Sequence, residues 1–195
     1  YRLAPRFLYP AFMEDGAAAV AFARKQFAAA GANSKRLFLT GHSAGAHIAA
    51  LLATNTKFLK KQNLSSADIA GVAAVSAPLR IVRNLFGAFG SSPNIWRDAS
   101  PINHTKKGLP PFLLICGQRE WLLALSAIRF QDSLQKKGVV VRAVFVPEHN
   151  HRDTAAAMLR PDSEIFLRLV TFFRQQKTAE NGAHKDRGKE GTAER

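Results

Sequence analysis

Apolar residues along this chain recur with two alternating periods. From about Phe12 to Ala30, Val20, Ala23, Phe27 and Ala30 fall at helical spacing and Gly31 supplies the stop. Arg36 to Thr40 then reads as a short buried strand, and from 44 to about 54 small residues and leucines return to helical spacing. The runs IAGVAAVS (residues 69–76) and FLLICG (112–117) read as strands, the first unbroken in apolar character up to its closing serine, as suits a strand covered on both faces. Leu123, Ala127, Phe130 and Leu134 mark a helix that Gly138 ends, VVVRAVFV (139–146) adds a strand, and Phe166, Leu169, Val170 and Phe173 mark a last amphipathic helix. Tyr1 to Leu3 reads as the end of a strand, with Pro5 and Pro10 in the loop that follows.

Residues 78–110 break this rhythm with Pro, Gly, Ser and charged residues around isolated Phe86, Phe89 and Trp96, as a lid-like or binding excursion would. After Gln176 apolar residues nearly vanish, so residues 177–195 are expected to form a disordered polar tail. The expected organisation is one domain over residues 1–176, of the α/β class, with a mostly parallel sheet flanked by helices.

Composition narrows the function classes. The 195 residues are 47% hydrophobic, enough for one sizeable core. Lys and Arg outnumber Asp and Glu 28 to 14, a formal charge of +14 that favours acidic partners in general. The lysine pairs 60–61, 106–107 and 136–137 lie in separate segments, however, without aromatic-basic or zinc-finger spacing, so no nucleic-acid partner is expected. Cys116 is the only cysteine and sits in an apolar run, which excludes an intrachain disulfide or a cysteine metal cluster; no metal and no cofactor are expected. No stretch approaches the roughly 20 apolar residues of a spanning helix, so no membrane span is expected.

In parallel sheets, chemistry collects at the carboxyl ends of the strands. The first such end reads Gly41-His42-Ser43-Ala44-Gly45, between a strand and a helix. A serine in so tight a turn presents its Oγ, and the Ala44 N–H at the helix start is aimed at a developing oxyanion. A serine hydroxyl near neutral pH needs a base. Of the six histidines, His42 and His47 read as supporting or packing residues, His104 as a surface residue and His184 as part of the tail. That leaves the loop PEHNHRD after the last strand, where His151 is favoured and His149 is the alternative. The imidazole in turn needs an acceptor, and Glu120 is the one carboxylate in the loop after FLLICG; a surface pairing with Arg119, and Asp153 as the acceptor, are the alternatives. The order Ser43, Glu120, His151 is the nucleophile–acid–base order of one hydrolase architecture.

On these loops the chain resembles the α/β-hydrolases, specifically the esterase/lipase group that includes bacterial feruloyl-esterase-like (BD-FAE) enzymes and kynurenine formamidases. YRLAP, GHSAGAH, WRDASPINH with LPPFLLICGQRE, and NHRD carry the resemblance from Tyr1 to about Phe173. It implies a serine hydrolase of carboxylic esters with short acyl or aryl groups, taking a small-molecule ester as substrate. Hydrolysis of an N-formyl amide and a non-catalytic binding scaffold are the alternatives. Ser43 would attack, His151 shuttle the proton, and Glu120 orient the imidazole where the family usually has Asp. The family's His-Gly-Gly oxyanion segment would lie before Tyr1. The chain is therefore expected to be an N-terminally incomplete fragment with little activity by itself.

Overall fold

The computed structural model describes residues 1–32, 37–82 and 87–187, with side chains through residue 175. Four strands, β1 (Leu37–His42), β2 (Ile69–Val75), β3 (Phe112–Gly117) and β4 (Val141–Val146), pair in that order, every pair parallel. The helices are α1 (Ala11–Ala29), α2 (Ala44–Thr54), α3 (Lys57–Lys60), α4 (Pro93–Asp98), α5 (Trp121–Gln135), α6 (His151–Met158) and α7 (Glu164–Arg187).

The unbroken apolar character of β2 and β3 follows from a core on each face. Val72, Ala74, Phe112, Leu114 and Cys116 join the larger core with α1, α2 and α5. Ala73, Val75, Leu113 and Ile115 turn the other way, against Ala157 of α6 and Ile165, Leu169 and Phe172 of α7. Strand side chains alternate between faces, so a sheet with helices on both sides must be apolar at each successive position. Helix α2 is buried from Ala46 to Thr54, as expected of a helix that is apolar all round.

Several sequence expectations shift. Tyr1–Leu3 carry no strand and pair with none of the four. Helix α1 buries Phe12, Met13, Ala17 and Val20, while Phe22 and Phe27 are 65% and 48% exposed. Of its expected stripe Val20 is buried and Ala23 half-buried, while Phe27 and Ala30 are exposed. In the last helix Leu169 is inward as expected and Phe173 packs partly against the same core, but the most buried residues beside Leu169 are Ile165 and Phe172, each one position before the expected Phe166 and Phe173. That helix also runs on to Arg187, past the expected break at 176; residues 188–195 lie outside the described part.

The excursion is anchored. Phe89 is buried, with its ring 5.7 Å from Phe12 and 5.5 Å from His47. Ser100, fully buried, accepts from the Ile81 N–H at 2.8 Å and donates to the Trp96 carbonyl at 2.6 Å. His47 donates from Nε2 to the Ala99 carbonyl at 2.7 Å, tying α2 to the segment between α4 and a 3-10 turn at Pro101–His104. Of its three aromatics, Phe86 lies outside the described residues, and Trp96 is half-buried, donating to the Gly90 carbonyl at 3.0 Å.

Candidate active site

The ladder bonds of the sheet continue into the loops at its carboxyl edge. Ser43 N–H donates to the Val75 carbonyl at 2.9 Å, Ser76 N–H to Ile115 at 2.7 Å, and Gln118 N–H to Val146 at 3.0 Å. Each loop is thus held one residue past its strand. Ser43, Ser76 and Glu148 all take positive φ, at 54°, 52° and 58°. Side chains other than glycine avoid that region at a cost of about 1–3 kcal/mol, and such strain tends to cluster where a site imposes it.

At the first loop Ser43 has φ 54° and ψ −116°, between the end of β1 and the first turn of α2. The bend brings α2 over β1 so closely that a Cβ on Gly41 would lie 2.5 Å from the Gly45 carbonyl carbon and 2.8 Å from Ala46 N. Gly41 is therefore required for clearance. A Cβ on Gly45 would meet nothing within 4 Å, so the second flanking glycine has no such role among the described residues. Ala44 is the first helical residue, and its N–H is one of those an α-helix leaves without an internal acceptor.

At the fourth loop Asn150 caps α6, its Oδ1 accepting from the N–H groups of Arg152 and Asp153 at 2.8 and 3.2 Å. Asp153 reciprocates by accepting from Asn150 N–H at 2.9 Å, a capping box that fixes where the helix begins. His151 is the first residue of that helix. Its Nε2 lies 2.9 Å from Ser43 Oγ, and its Nδ1 lies 2.5 Å from Glu120 Oε1. The structure therefore brings Ser43, His151 and Glu120 into one hydrogen-bonded line. The alternatives are engaged elsewhere: His149 Nδ1 donates to the Pro147 carbonyl at 2.7 Å, Asp153 serves the cap, and Arg119 pairs with Glu148.

Glu120, with 4% of its side chain exposed, is held from both ends. Its Oε2 accepts from Ser76 Oγ at 2.7 Å and Gly117 N–H at 2.8 Å. A Cβ on Gly117 would stand 2.1 Å from the His149 carbonyl oxygen, so the acid loop and the histidine loop can pack together only through a glycine there. Arg119 N–H donates to that same carbonyl at 3.1 Å. Cys116, beneath this loop, has its thiol pushed up to about 12, by burial first and then by the Glu120 charge, and stays a neutral part of the core.

Three further residues surround the line; His42 was read from sequence as a supporting or packing residue, whereas Ser76 and Thr154 were not singled out. Ser76, Thr154 and His42 continue it, with Ser76 Oγ 2.9 Å from Thr154 Oγ1 and His42 Nε2 3.1 Å from the same oxygen. The His42 ring stands 4.5 Å from that of His151, and burial, followed by that neighbour, holds His42 below the ordinary imidazole value. The available signals were weak: Ser76 ends a strand at the edge where chemistry collects, and Thr154 lies three residues beyond the base.

A cavity of about 270 Å³ opens beside Ser43, lined by Leu3, Phe12, Ile48, Pro78, Ala88 and Phe89 among others. Its lining is largely apolar. Among the described lining residues Arg2 is the one charged side chain, and it is engaged by Asp15; burial holds His47 at about 4, hence neutral. Among the described residues, no three of the His, Cys, Asp and Glu side chains converge as a metal site. No helix there is long and apolar enough to cross a membrane.

This architecture is the α/β-hydrolase fold, and residues 1–86 match a family described as alpha/beta hydrolase fold. Two esterases of Mycobacterium tuberculosis (strain ATCC 25618 / H37Rv) are similar in sequence. LipQ is 29% identical over 182 residues, 82% of this chain and 43% of that protein. LipC is 28% identical over 152 residues, 66% of this chain and 37% of that protein. The chain thus spans less than half the length of either. Among solved structures, a truncated carbohydrate esterase from gut microbiota superposes with a TM-score of 0.74 at 18% identity, covering 91% of this chain and 72% of that one.

Proposed function

We propose that the chain carries the catalytic apparatus of a carboxylic ester hydrolase acting through an acyl-enzyme on Ser43. The observation that supports this best is the line Ser43 Oγ to His151 Nε2 at 2.9 Å and His151 Nδ1 to Glu120 Oε1 at 2.5 Å, at the mouth of an apolar cavity. The similarity to two proteins named esterases points the same way.

In this reading Ser43 Oγ attacks the ester carbonyl carbon as its proton passes to His151 Nε2. Glu120 accepts from Nδ1–H, holds that tautomer and stabilises the imidazolium. The carbonyl oxygen takes up the electron pair and meets the Ala44 N–H at the start of α2, where aligned peptide dipoles favour negative charge. Collapse expels the alkoxide, which takes the proton from His151. Water, deprotonated by the same imidazole, then adds to the acyl carbon, and the bond to Ser43 Oγ breaks as Oγ recovers the proton from His151, releasing the acid. The base must be neutral to take up the Ser43 proton. A largely apolar cavity whose charged side chain, Arg2, is already paired suits an uncharged acyl or aryl group.

Labelling with a fluorophosphonate, which needs the activated serine but no turnover, tests the assignment. The expected result is one adduct, mapped by mass spectrometry to Ser43 and absent from Ser43→Ala. A folded chain that forms no adduct would leave a binding scaffold instead.

A further inference from the structure

The assigned triad leaves unexplained a second set of polar groups behind it, two of them wholly buried and one half-buried. Ser76 and Thr154 are both 0% exposed, and each comes from a different element: Ser76 from the end of β2, Thr154 from the first turn of α6. His42, at the end of β1, completes the set. From these contacts we propose that Thr154 is a positioning residue, the hub of a one-directional hydrogen-bond relay running from His42 through Thr154 and Ser76 to the far oxygen of Glu120. The relay rests on the triad reading and adds to it a reason why a glutamate is held at the distance the base requires.

Counting protons gives the relay its direction. An ionised carboxylate only accepts, so the single hydroxyl proton of Ser76 goes to Glu120 Oε2 at 2.7 Å. The Ser76 oxygen can then only accept along its 2.9 Å contact with Thr154. Thr154 therefore supplies that proton, shared with the His151 carbonyl of its own helix at 3.0 Å. With its proton committed, Thr154 Oγ1 can only accept from His42 Nε2 at 3.1 Å, which fixes His42 as the Nε2–H tautomer. Each donor is polarised by the one before it, and all lie in a region of little solvent, where such chains reinforce one another.

The geometric consequence is that one hydroxyl reads the position of three of the four loops in the site directly, and of the Glu120 loop through Ser76. Thr154 touches the serine elbow through His42, the β2 end through Ser76, and the base-bearing turn through the His151 carbonyl. A glutamate has one more rotatable bond than an aspartate. With Oε2 held by Ser76 and Gly117, the carboxylate is left a single orientation, in which Oε1 faces Nδ1.

Thr154→Val, Thr154→Ser and His42→Phe in the full chain test the relay, with folding checked by circular dichroism. Two readings are taken: the saturation kinetics of fluorophosphonate labelling at Ser43, and the far-downfield proton resonance of His151 Nδ1–H. Thr154→Val is expected to slow the maximal labelling rate about tenfold, the loss of one ordinary hydrogen bond, with the half-saturating probe concentration unchanged. It is also expected to shift or broaden the downfield proton. Thr154→Ser restores both. His42→Phe keeps the ring beside His151, removes the donor and gives a smaller effect of the same kind; it carries the test if Thr154→Val does not fold. Parent-like labelling and an unmoved proton in Thr154→Val, or in His42→Phe where Thr154→Val does not fold, would overturn the relay, as would a Thr154→Ser that restores nothing. Failure of the triad reading looks different, because the parent chain itself then forms no Ser43 adduct; the proton resonance still reports on Thr154.

Discussion

Glu120 divides its oxygens between two contacts, Oε1 toward His151 and Oε2 toward Ser76 and the Gly117 N–H. Glu120→Gln keeps the shape and destroys the division. With the amide oxygen kept for Ser76 and Gly117, the NH2 faces His151 Nδ1 and turns the imidazole into the tautomer that carries its proton toward Ser43. The expected outcome is a loss of Ser43 labelling on the order of 10³- to 10⁴-fold with a melting temperature within a few degrees of the parent. Labelling of Glu120→Gln at the parent rate would remove the acid from its role. This much was legible in the sequence: Ser43, Glu120 and His151 each stand in a loop at a strand end, and the order of roles along the chain pairs them. Ser76 and Thr154 were not legible, since a lone hydroxyl residue carries no periodicity and acquires meaning only when three loops fold over it.

Two elements set the precision of the site, the elbow between β1 and α2 and the first turn of α6. The glycines flanking Ser43 look equivalent in sequence, but a Cβ would meet backbone at 2.5 Å on Gly41 and open space on Gly45. Gly41→Ala must move α2 off β1 and is expected to cost about 2–3 kcal/mol or prevent folding, whereas Gly45→Ala is expected to change stability by less than about 1 kcal/mol. Urea unfolding of the two variants separates them, and equal effects would contradict the close helix–strand approach. On α6, Asn150→Ala removes the acceptor for the Arg152 and Asp153 N–H groups and should cost about 1 kcal/mol. Because His151 is the first residue of that helix, the same change is expected to slow labelling at Ser43 by more than the stability loss would suggest, as fraying lets the imidazole leave the line. A variant that unfolds more easily yet labels normally would show that the cap does not position the base. The sequence reading treated this stretch as loop, although Asn150 followed three residues later by Asp153 was a capping signal on the page. The strands were easier to see, because burial on both faces writes an unbroken apolar run, while the phase of α1 and α7 depended on which neighbours each helix would find.

At the scale of the molecule, the excursion between β2 and β3 is attached to the central helix by a buried imidazole. His47 is 2% exposed, and burial holds it at about 4 against an ordinary value near 6.5, so it is neutral while donating to the Ala99 carbonyl. In the unfolded chain that histidine takes up a proton as the pH falls through about 6.5, whereas in the folded chain it resists until about 4. Between those values unfolding binds a proton, so stability drops as the solution is acidified across that window, by about 3 kcal/mol in all from this group. Above the window its contribution is complete, and below it nothing further is lost through His47. Carboxylates titrate near the lower end and the +14 chain gains further positive charge there, so the parent curve alone does not isolate the effect. His47→Gln does, because a glutamine amide can still donate to Ala99 yet never takes a proton. Urea midpoints for parent and variant at pH 7 and pH 4 should show the stability difference moving by about 3 kcal/mol in favour of His47→Gln at the acidic end. A difference that stays constant with pH would mean that His47 reaches solvent in the folded chain, and the excursion would then be a loose flap over α2 instead of the fixed wall that Phe89 contributes to the Ser43 cavity.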